Sequence, residues 1–156
     1  MKNRILIVDD SFYMRTMLKN MLTDAGYDVV GEAANGQQAL EMAAATRPDL
    51  ITLDVILPDN TGLDVLKGIR QEQPNVRIVM CSAVGQEVIV NEALESGAVA
   101  YIVKPFSEEK VLEIVGSMLQ QASNEADTAT DAPAASDADA TDTAASDTSS
   151  EATPQA

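Results

Sequence analysis

Two short apolar runs, each followed by acidic residues, constrain the fold of this chain more than any other feature. Ile5–Val8 precedes Asp9-Asp10, and Leu50–Leu53 precedes Asp54. Apolar runs rich in β-branched residues are typical of strands that are buried on both faces of a parallel sheet. An unpaired carboxylate inside such a sheet would be strongly unfavourable. We therefore expect the three carboxylates at the edge of the sheet, where open α/β sheets bind their ligands.

The same strand-and-helix unit recurs five times along the chain. The predicted strands are Arg4–Val8, Tyr27–Ala33, Leu50–Asp54, Arg77–Ser82 and Ala100–Val103. Apolar residues recur with helical spacing after each of them. Short crossovers between buried strands indicate a parallel sheet with helices on both faces. We predict a doubly wound α/β fold of the flavodoxin-like type, with five parallel strands in the order 2-1-3-4-5.

Capping residues predict where the helices begin and end. Ser11 or Asp10 can cap the first helix, and Ser107 can cap the last. Gly26 is placed to end the first helix in a left-handed conformation. In the second helix the apolar spacing predicts that Leu40 faces the core.

The predicted strand order brings five polar residues to one edge of the sheet. Strands one and three are neighbours in this order, so Asp9, Asp10 and Asp54 share one crevice. Strands four and five end at the same edge in Ser82 and Lys104. Three carboxylates close together repel one another, and a divalent cation relieves that repulsion. Ligands that are all oxygen suit Mg²⁺.

Phosphoryl chemistry gives every member of this group a role. The Lys104 ammonium can hold a phosphoryl oxygen, and the Ser82 hydroxyl can donate to another. Asp54 lies between them and can attack phosphorus to form an aspartyl phosphate. The alternative is a Ca²⁺ or Mg²⁺ site that only stiffens a loop. That alternative explains Asp9 and Asp10 but leaves Ser82 and Lys104 without a function.

The last 35 residues differ in composition from the rest of the 156-residue chain. Residues 122–156 contain eight of the 25 acidic residues and no Lys or Arg. Ala, Asp, Thr and Ser dominate there, and no apolar periodicity remains. Such a segment cannot bury enough apolar surface to fold. We predict a folded domain at residues 1–121 and a disordered, acidic, low-complexity tail at residues 122–156.

The charge and the residue content also exclude several kinds of partner and site. A net charge of −15 argues against nucleic acid and membrane surfaces as partners. Without histidine and with one cysteine, Cys81, neither a usual zinc site nor an intramolecular disulfide is expected. The apolar run near the start of the chain is too short for a signal peptide or a membrane span. We therefore expect a cytoplasmic protein.

The motif residues resemble a known family. The matching residues, in order and spacing, are Asp9-Asp10, Asp54, Ser82-Ala83, Tyr101 and Lys104-Pro105. They are similar to the receiver domain of two-component response regulators, and the match covers about residues 3–121. Within that family, two segments resemble the single-domain, CheY-like chemotaxis regulators. These are Asp9-Asp10-Ser11-Phe12-Tyr13-Met14-Arg15 and Cys81-Ser82-Ala83-Val84-Gly85-Gln86.

The resemblance implies a set of metal ligands and a phosphoryl donor. It implies that a histidine kinase transfers a phosphoryl group to Asp54 with Mg²⁺ as cofactor. Asp10, Asp54 and the backbone carbonyl of Ile56 are then the direct Mg²⁺ ligands, and Asp9 acts largely through water.

The resemblance also implies how the signal leaves the site. Ser82 and Lys104 then bind the phosphoryl group, and Tyr101 turns inward when Ser82 moves. Without the resemblance, Tyr101 reads as a half-buried strand aromatic, and Ser82 as a residue that caps its own loop. We also expect the Lys104–Pro105 bond to be cis, because the loop must direct Lys104 back into the crevice.

Two classes of function follow. In the first, phosphorylation switches the binding of a target protein, as in chemotaxis regulators that bind the flagellar switch, or passes phosphate along a relay. In the second, the chain is a Mg²⁺-dependent phosphohydrolase with an aspartyl nucleophile. Haloacid-dehalogenase-type enzymes carry a second aspartate two residues after the nucleophile, where this chain has Ile56. We therefore predict a switch rather than an enzyme. Ile56 and Val84 are apolar where a water would have to be held for hydrolysis, so a partner phosphatase is also expected.

Overall fold

A computed structural model describes residues 3–131 of the chain. In this range five strands alternate with five helices. In chain order they are β1 (Arg4–Val8), α1 (Phe12–Asp24), β2 (Asp28–Ala33), α2 (Gly36–Thr46), β3 (Leu50–Leu53), α3 (Gly62–Glu72), β4 (Arg77–Ser82), α4 (Glu87–Glu95), β5 (Ala100–Val103) and α5 (Glu108–Asp131). The predicted strands agree with these bounds to within one residue. None of the helices between residues 3 and 131 combines the length and the apolar character that crossing a membrane requires.

The five strands form one parallel sheet in the order β2-β1-β3-β4-β5. The predicted doubly wound, flavodoxin-like fold is thereby confirmed. In the pairing of β1 with β3, Val8 lies opposite Leu53. The residues that follow them, Asp9 and Asp54, therefore leave the sheet side by side. The Asp54 amide still donates to the Val8 carbonyl at 3.1 Å, which holds the two strand ends together.

Apolar side chains fill both faces of the sheet. On one face, residues of β1, β3 and β4 pack against α2, α3 and α4 through Ala39, Ala43, Leu66, Ile69 and Ala93. On the other face, the alternate strand residues pack against α1 and α5 through Leu18, Leu22, Val111, Val115 and Leu119. The strands β1, β3 and β4 contribute buried residues to both layers, which explains their near-continuous apolar sequences.

The predicted caps of α1 and α5 are confirmed. The Ser11 hydroxyl accepts from the Met14 amide at 3.2 Å, and the Ser107 hydroxyl accepts from the Lys110 amide at 3.1 Å. Gly26 follows α1 with a φ of +99°, a backbone conformation that glycine adopts without steric cost.

The predicted orientation of Leu40 is wrong. Ala39 and Ala43 face the core, whereas Leu40 is 39% exposed. Successive residues of an α-helix point about 100° apart. Because α2 packs on the sheet through Ala39 and Ala43, Leu40 lies on the flank of the helix and is partly exposed. There Leu40 lies beside Gly68 of α3.

The compact unit that carries the strands ends at Leu119, and a second unit begins at Gln120. Helix α5 is assigned from Glu108 to Asp131, and the predicted boundary at residue 121 with a disordered tail after it stays a prediction. The remainder of the predicted tail, residues 132–156, lies outside the described residues.

Candidate functional site

The loop after β3 presents Asp54 at the carboxyl edge of the sheet. Asp54 is nearly buried, and its Oδ1 accepts from the Ile56 amide at 3.1 Å. The chain then doubles back, so that the Gly62 amide donates to the Val55 carbonyl at 2.6 Å. A Cβ at Gly62 would lie only 2.0 Å from the Asp54 carbonyl oxygen. Glycine at this position therefore lets the loop close around Asp54.

The loop after β1 presents two further carboxylates. Asp9 is buried, and its Oδ1 accepts from the Ser11 amide at 2.9 Å. Its own amide donates to the Ala33 carbonyl at the end of β2 at 3.0 Å. Asp10, the next residue, is exposed. The Asp9 carboxylate is therefore tied to the start of α1, whereas Asp10 remains open to solvent.

Lys104 bridges the two strand ends. Its Nζ lies 2.6 Å from Asp9 Oδ2 and 3.1 Å from Asp54 Oδ2. The following peptide bond, Lys104–Pro105, is cis, as predicted. Burial alone would lower the pKa of Lys104, but the carboxylates of Asp9 and Asp54 outweigh burial and raise it. The lysine is therefore a stable cation at the centre of the site.

The carboxylates meet the requirements of a divalent cation. One carboxylate oxygen from each of Asp9, Asp10 and Asp54 lies within 4.8 Å of the other two. Octahedral Mg²⁺ binds oxygens at about 2.0–2.1 Å, so its ligand oxygens lie about 3–4 Å apart. Three carboxylates and the Lys104 ammonium leave a formal charge of −2, which a divalent ion would balance. The donor set and the charge therefore fit Mg²⁺.

Ser82 and Tyr101 both hydrogen-bond to Val84 in the loop after β4. Ser82, at the end of β4, is fully buried, and its Oγ accepts from the Val84 amide at 3.2 Å. The Tyr101 hydroxyl, on neighbouring β5, donates to the Val84 carbonyl in a short hydrogen bond. Burial raises the pKa of Tyr101 more than a hydrogen bond with the Ser82 side chain lowers it. The loop between β4 and α4 is thus held by Ser82 at the end of β4 and by Tyr101 on β5.

The structure brings Asp9, Asp10, Asp54 and Lys104 together, as the sequence predicts. It places Ser82 at the same edge, bonded within its own loop. Tyr101 is partly buried against the core below. Ile56 is 59% exposed, and its amide donates to the Asp54 carboxylate. The assignment of its carbonyl as a metal ligand remains a prediction.

Asp59 has a role that the sequence analysis missed. Its carboxylate accepts from the amides of Gly36 and Gln37, at 2.7 and 3.1 Å, and so caps α2 from the β3–α3 loop. These hydrogen bonds lower the pKa of Asp59. The partners are more than 20 residues apart in sequence, so no local pattern marks them.

Arg15 was also assigned no role from the sequence. Its Nη1 donates to the Asp9 carbonyl at 2.7 Å, and its Nε donates to Glu32 Oε1 at 3.3 Å. The sequence signal for this contact is that Arg15 lies four residues after Ser11, so its side chain is on the same face of α1 as the start of the helix.

Comparisons with known proteins agree with this geometry. A family model described as the response regulator receiver domain matches residues 5–116. The chemotaxis protein CheY of Thermotoga maritima is 45% identical over 118 residues, which cover 76% of this chain and 98% of that protein. The chemotaxis protein CheY of Bacillus subtilis is 46% identical over 119 residues, covering 76% of this chain and 99% of that protein.

A solved structure is similar in both fold and sequence. It is the CheX–CheY–BeF3–Mg²⁺ complex from Borrelia burgdorferi, with a TM-score of 0.73 and 35% identity. The match covers 74% of this chain and 88% of the matched chain. The matched family model, the sequence relatives and the fold agree, and the chain belongs to the family of response regulator receiver domains.

Proposed function

We propose that Asp54 accepts a phosphoryl group from a histidine kinase, with Mg²⁺ as cofactor, and that phosphorylation switches the binding of a target protein. The observation that carries this proposal is the position of Lys104 Nζ, within 3.1 Å of both Asp9 and Asp54. A cation held between two nearly buried carboxylates, beside a third, is suited to an incoming dianionic group. A site that only stiffens a loop would not need it.

Asp54 has the geometry of a nucleophile. One of its oxygens is oriented by the Ile56 amide and the other by Lys104. A carboxylate oxygen attacks phosphorus, and the bond between phosphorus and the kinase histidine nitrogen breaks. The electron pair of that bond goes to the imidazole nitrogen, and the product is an acyl phosphate on Asp54. Phosphoryl transfer needs positioning and positive charge more than covalent assistance.

The surrounding residues supply that position and charge. Bound Mg²⁺ would neutralise negative charge on the phosphoryl oxygens, and the residues proposed to hold it are Asp10, Asp54 and the Ile56 carbonyl, with Asp9 acting through water. Lys104 then exchanges a carboxylate for a phosphoryl oxygen. The Ser82 hydroxyl, at the same edge of the sheet, donates to another.

Ser82 and Tyr101 are the proposed route to the target surface. A Ser82 hydroxyl recruited by phosphate would change the loop that Tyr101 holds through the Val84 carbonyl. Two arrangements of this loop would then differ in their affinity for a partner, which is what a switch requires. The family supports a signalling protein rather than an enzyme.

The relatives named as chemotaxis proteins favour a target in motility control, such as the flagellar switch. The second candidate is a relay intermediate, in which the phosphoryl group moves on from Asp54 to a histidine of another protein. A cytoplasmic location follows from the same proposal, because histidine kinases take their phosphate from cytoplasmic ATP.

Phosphorylation by a small donor tests the proposal directly. Acetyl phosphate or phosphoramidate with Mg²⁺ should add one phosphoryl group, measured by intact mass, to the wild-type chain. Asp54→Asn should add none, and excess chelator should abolish labelling. Asp64→Asn, which changes an aspartate in the first turn of α3, is the matched control and should be labelled like wild type. Equal labelling of Asp54→Asn would refute the assignment of the acceptor.

Binding of the labelled chain then tests the partner. The phosphorylated chain should retain a target that Asp54→Asn does not retain. A relay intermediate would instead lose its label to a histidine on a second protein, and that transfer is measurable with purified partners.

A further inference from the structure

We propose that Arg15 is a positioning residue for Mg²⁺ binding. Its guanidinium holds the peptide group between Asp9 and Asp10 and thereby directs the Asp10 carboxylate toward the site. The inference rests on the proposed function, since it concerns a ligand of the proposed cofactor.

The critical contact is made to the backbone. Arg15 Nη1 donates to the carbonyl oxygen of Asp9 at 2.7 Å. That oxygen belongs to the peptide group that joins Asp9 to Asp10, and a peptide group is planar. Holding the oxygen therefore fixes the direction in which the chain enters Asp10. Asp10 is the exposed member of the carboxylate cluster, so its direction depends on its backbone more than on packing.

Arg15 is itself held on several sides. Its Nε donates to Glu32 Oε1 at 3.3 Å, and Lys19 contacts the other oxygen of Glu32 at 3.5 Å. The Phe12 ring lies over the guanidinium, with 5.7 Å between the guanidinium carbon and the ring centroid. Only 14% of the Arg15 side chain is exposed. A planar guanidinium held in this way is a rigid donor, unlike an exposed arginine that samples many rotamers.

The rest of Asp9 is fixed by other bonds. Its amide donates to β2, and its carboxylate accepts from the Ser11 amide and from Lys104. The bond from Arg15 therefore acts on the part of the loop that leads to Asp10. Hydrogen bonds from outside the ligand shell generally orient metal ligands, and this main-chain contact would orient the Asp10 carboxylate in the same way.

An electrostatic role and a positioning role for Arg15 predict opposite changes in Mg²⁺ affinity when Arg15 is replaced. Removing a positive charge close to a cation site should strengthen Mg²⁺ binding by electrostatics alone. Removing a group that orients a ligand should weaken it. The sign of the change in affinity therefore identifies the role of Arg15.

Calorimetric titration of the full chain with MgCl₂ tests the inference, with no dependence on phosphorylation. Arg15→Met should weaken Mg²⁺ binding about tenfold, the lower end of the usual effect of removing an outer-shell partner. Arg15→Lys keeps the charge and one donor and should recover part of the loss. Lys19→Met removes a positive charge that also contacts Glu32 but does not contact Asp9. It is the matched control, and its Mg²⁺ affinity should equal or slightly exceed that of wild type.

Glu32→Asp serves if Arg15→Met does not fold. It keeps the negative charge but shortens the side chain that holds Arg15 Nε, and it should weaken Mg²⁺ binding by less than Arg15→Met does. Unchanged or tighter binding in folded Arg15→Met, or an equal loss in Lys19→Met, would overturn the inference. A wild-type chain that binds no Mg²⁺ would instead refute the proposed function, so the two failures are distinguishable. At saturating Mg²⁺, Arg15→Met should still be labelled at Asp54, which separates weakened metal binding from damage to the acceptor.

Discussion

Replacing Gly62 by alanine tests whether the β3–α3 loop must close as tightly as it does. The new Cβ would lie 2.0 Å from the Asp54 carbonyl oxygen and 2.7 Å from Val55 Cα. Ordinary van der Waals contact begins at about 3.4 Å, and the obstructing atoms are backbone, which cannot move aside as a flexible side chain can. The φ of Gly62 is not in the left-handed region, so the effect is one of space and not of backbone strain. The loop must therefore open by more than 1 Å.

The expected cost follows from that displacement. Overfilling a packed site typically costs about 1–3 kcal/mol, and a backbone clash belongs at the upper end of that range. We expect Gly62→Ala to lose about 3 kcal/mol of unfolding free energy, which corresponds to roughly 10 °C in Tm for a domain of this size. Because the Asp54 carbonyl is the group displaced, labelling of Asp54 by acetyl phosphate should also slow.

Urea unfolding followed by circular dichroism measures the stability, and intact mass measures the labelling. Gly116→Ala is the matched control: its Cβ would lie 3.4 Å from the Tyr27 hydroxyl, an ordinary contact, within α5. Alanine in a helix interior is favoured over glycine, so this control should gain about 0.5–1 kcal/mol. If Gly62→Ala stays within about 0.5 kcal/mol of wild type and labels at the same rate, the argument from the closed loop is refuted.

Four further outcomes are expected. Lys104→Met leaves two nearly buried carboxylates without their cation and should cost about 2–3 kcal/mol of unfolding free energy, partly restored by Mg²⁺; a loss that Mg²⁺ does not reduce would argue against a shared cation site. By the family resemblance, Ile56→Asn combined with Val84→Glu should shorten the life of the phosphoryl group by about 10²-fold, followed as loss of label after the donor is removed; an unchanged lifetime would mean that water access is controlled elsewhere. Burial raises the pKa of Cys81 to about 12, so its thiol should resist aromatic disulfide reagents at pH 8 until the chain is unfolded, and rapid modification of the native chain would contradict this. Truncation after Gln121 should change the unfolding free energy by less than about 0.5 kcal/mol, and a larger loss would mean that the removed residues support the domain.

The sheet and the main cluster of the site were predictable because their determinants are local. Apolar runs mark the strands, and Ser11 and Gly26 mark the ends of α1 through short-range backbone geometry. Once strand order follows from the size of the sheet, the residues after β1 and β3 must meet. Asp9 and Asp54 are therefore neighbours by topology.

The missed contacts depend on how loops fold over one another. Asp59 reaches Gly36 across 23 positions, and Tyr101 reaches the Val84 carbonyl across 17. A backbone carbonyl or amide carries no sequence signal, because every residue except proline has both. The predicted orientation of Leu40 was wrong for a related reason, because the small volume of Ala39 and Ala43 decides which side of α2 faces the sheet.

The parallel sheet separates the reactive edge of the domain from an edge that is suited to labelling or insertion. The carboxylates of Asp9, Asp10 and Asp54 and the side chains of Ser82 and Lys104 all lie at or just after the carboxyl end of a strand. The opposite edge, where α3 leads into β4 at Pro74-Asn75, is exposed. Asn75 lies seven residues before Ser82, or about 20 Å along an extended strand. A dye, a surface tether or an inserted peptide placed there would report on the domain while standing clear of the reaction it performs.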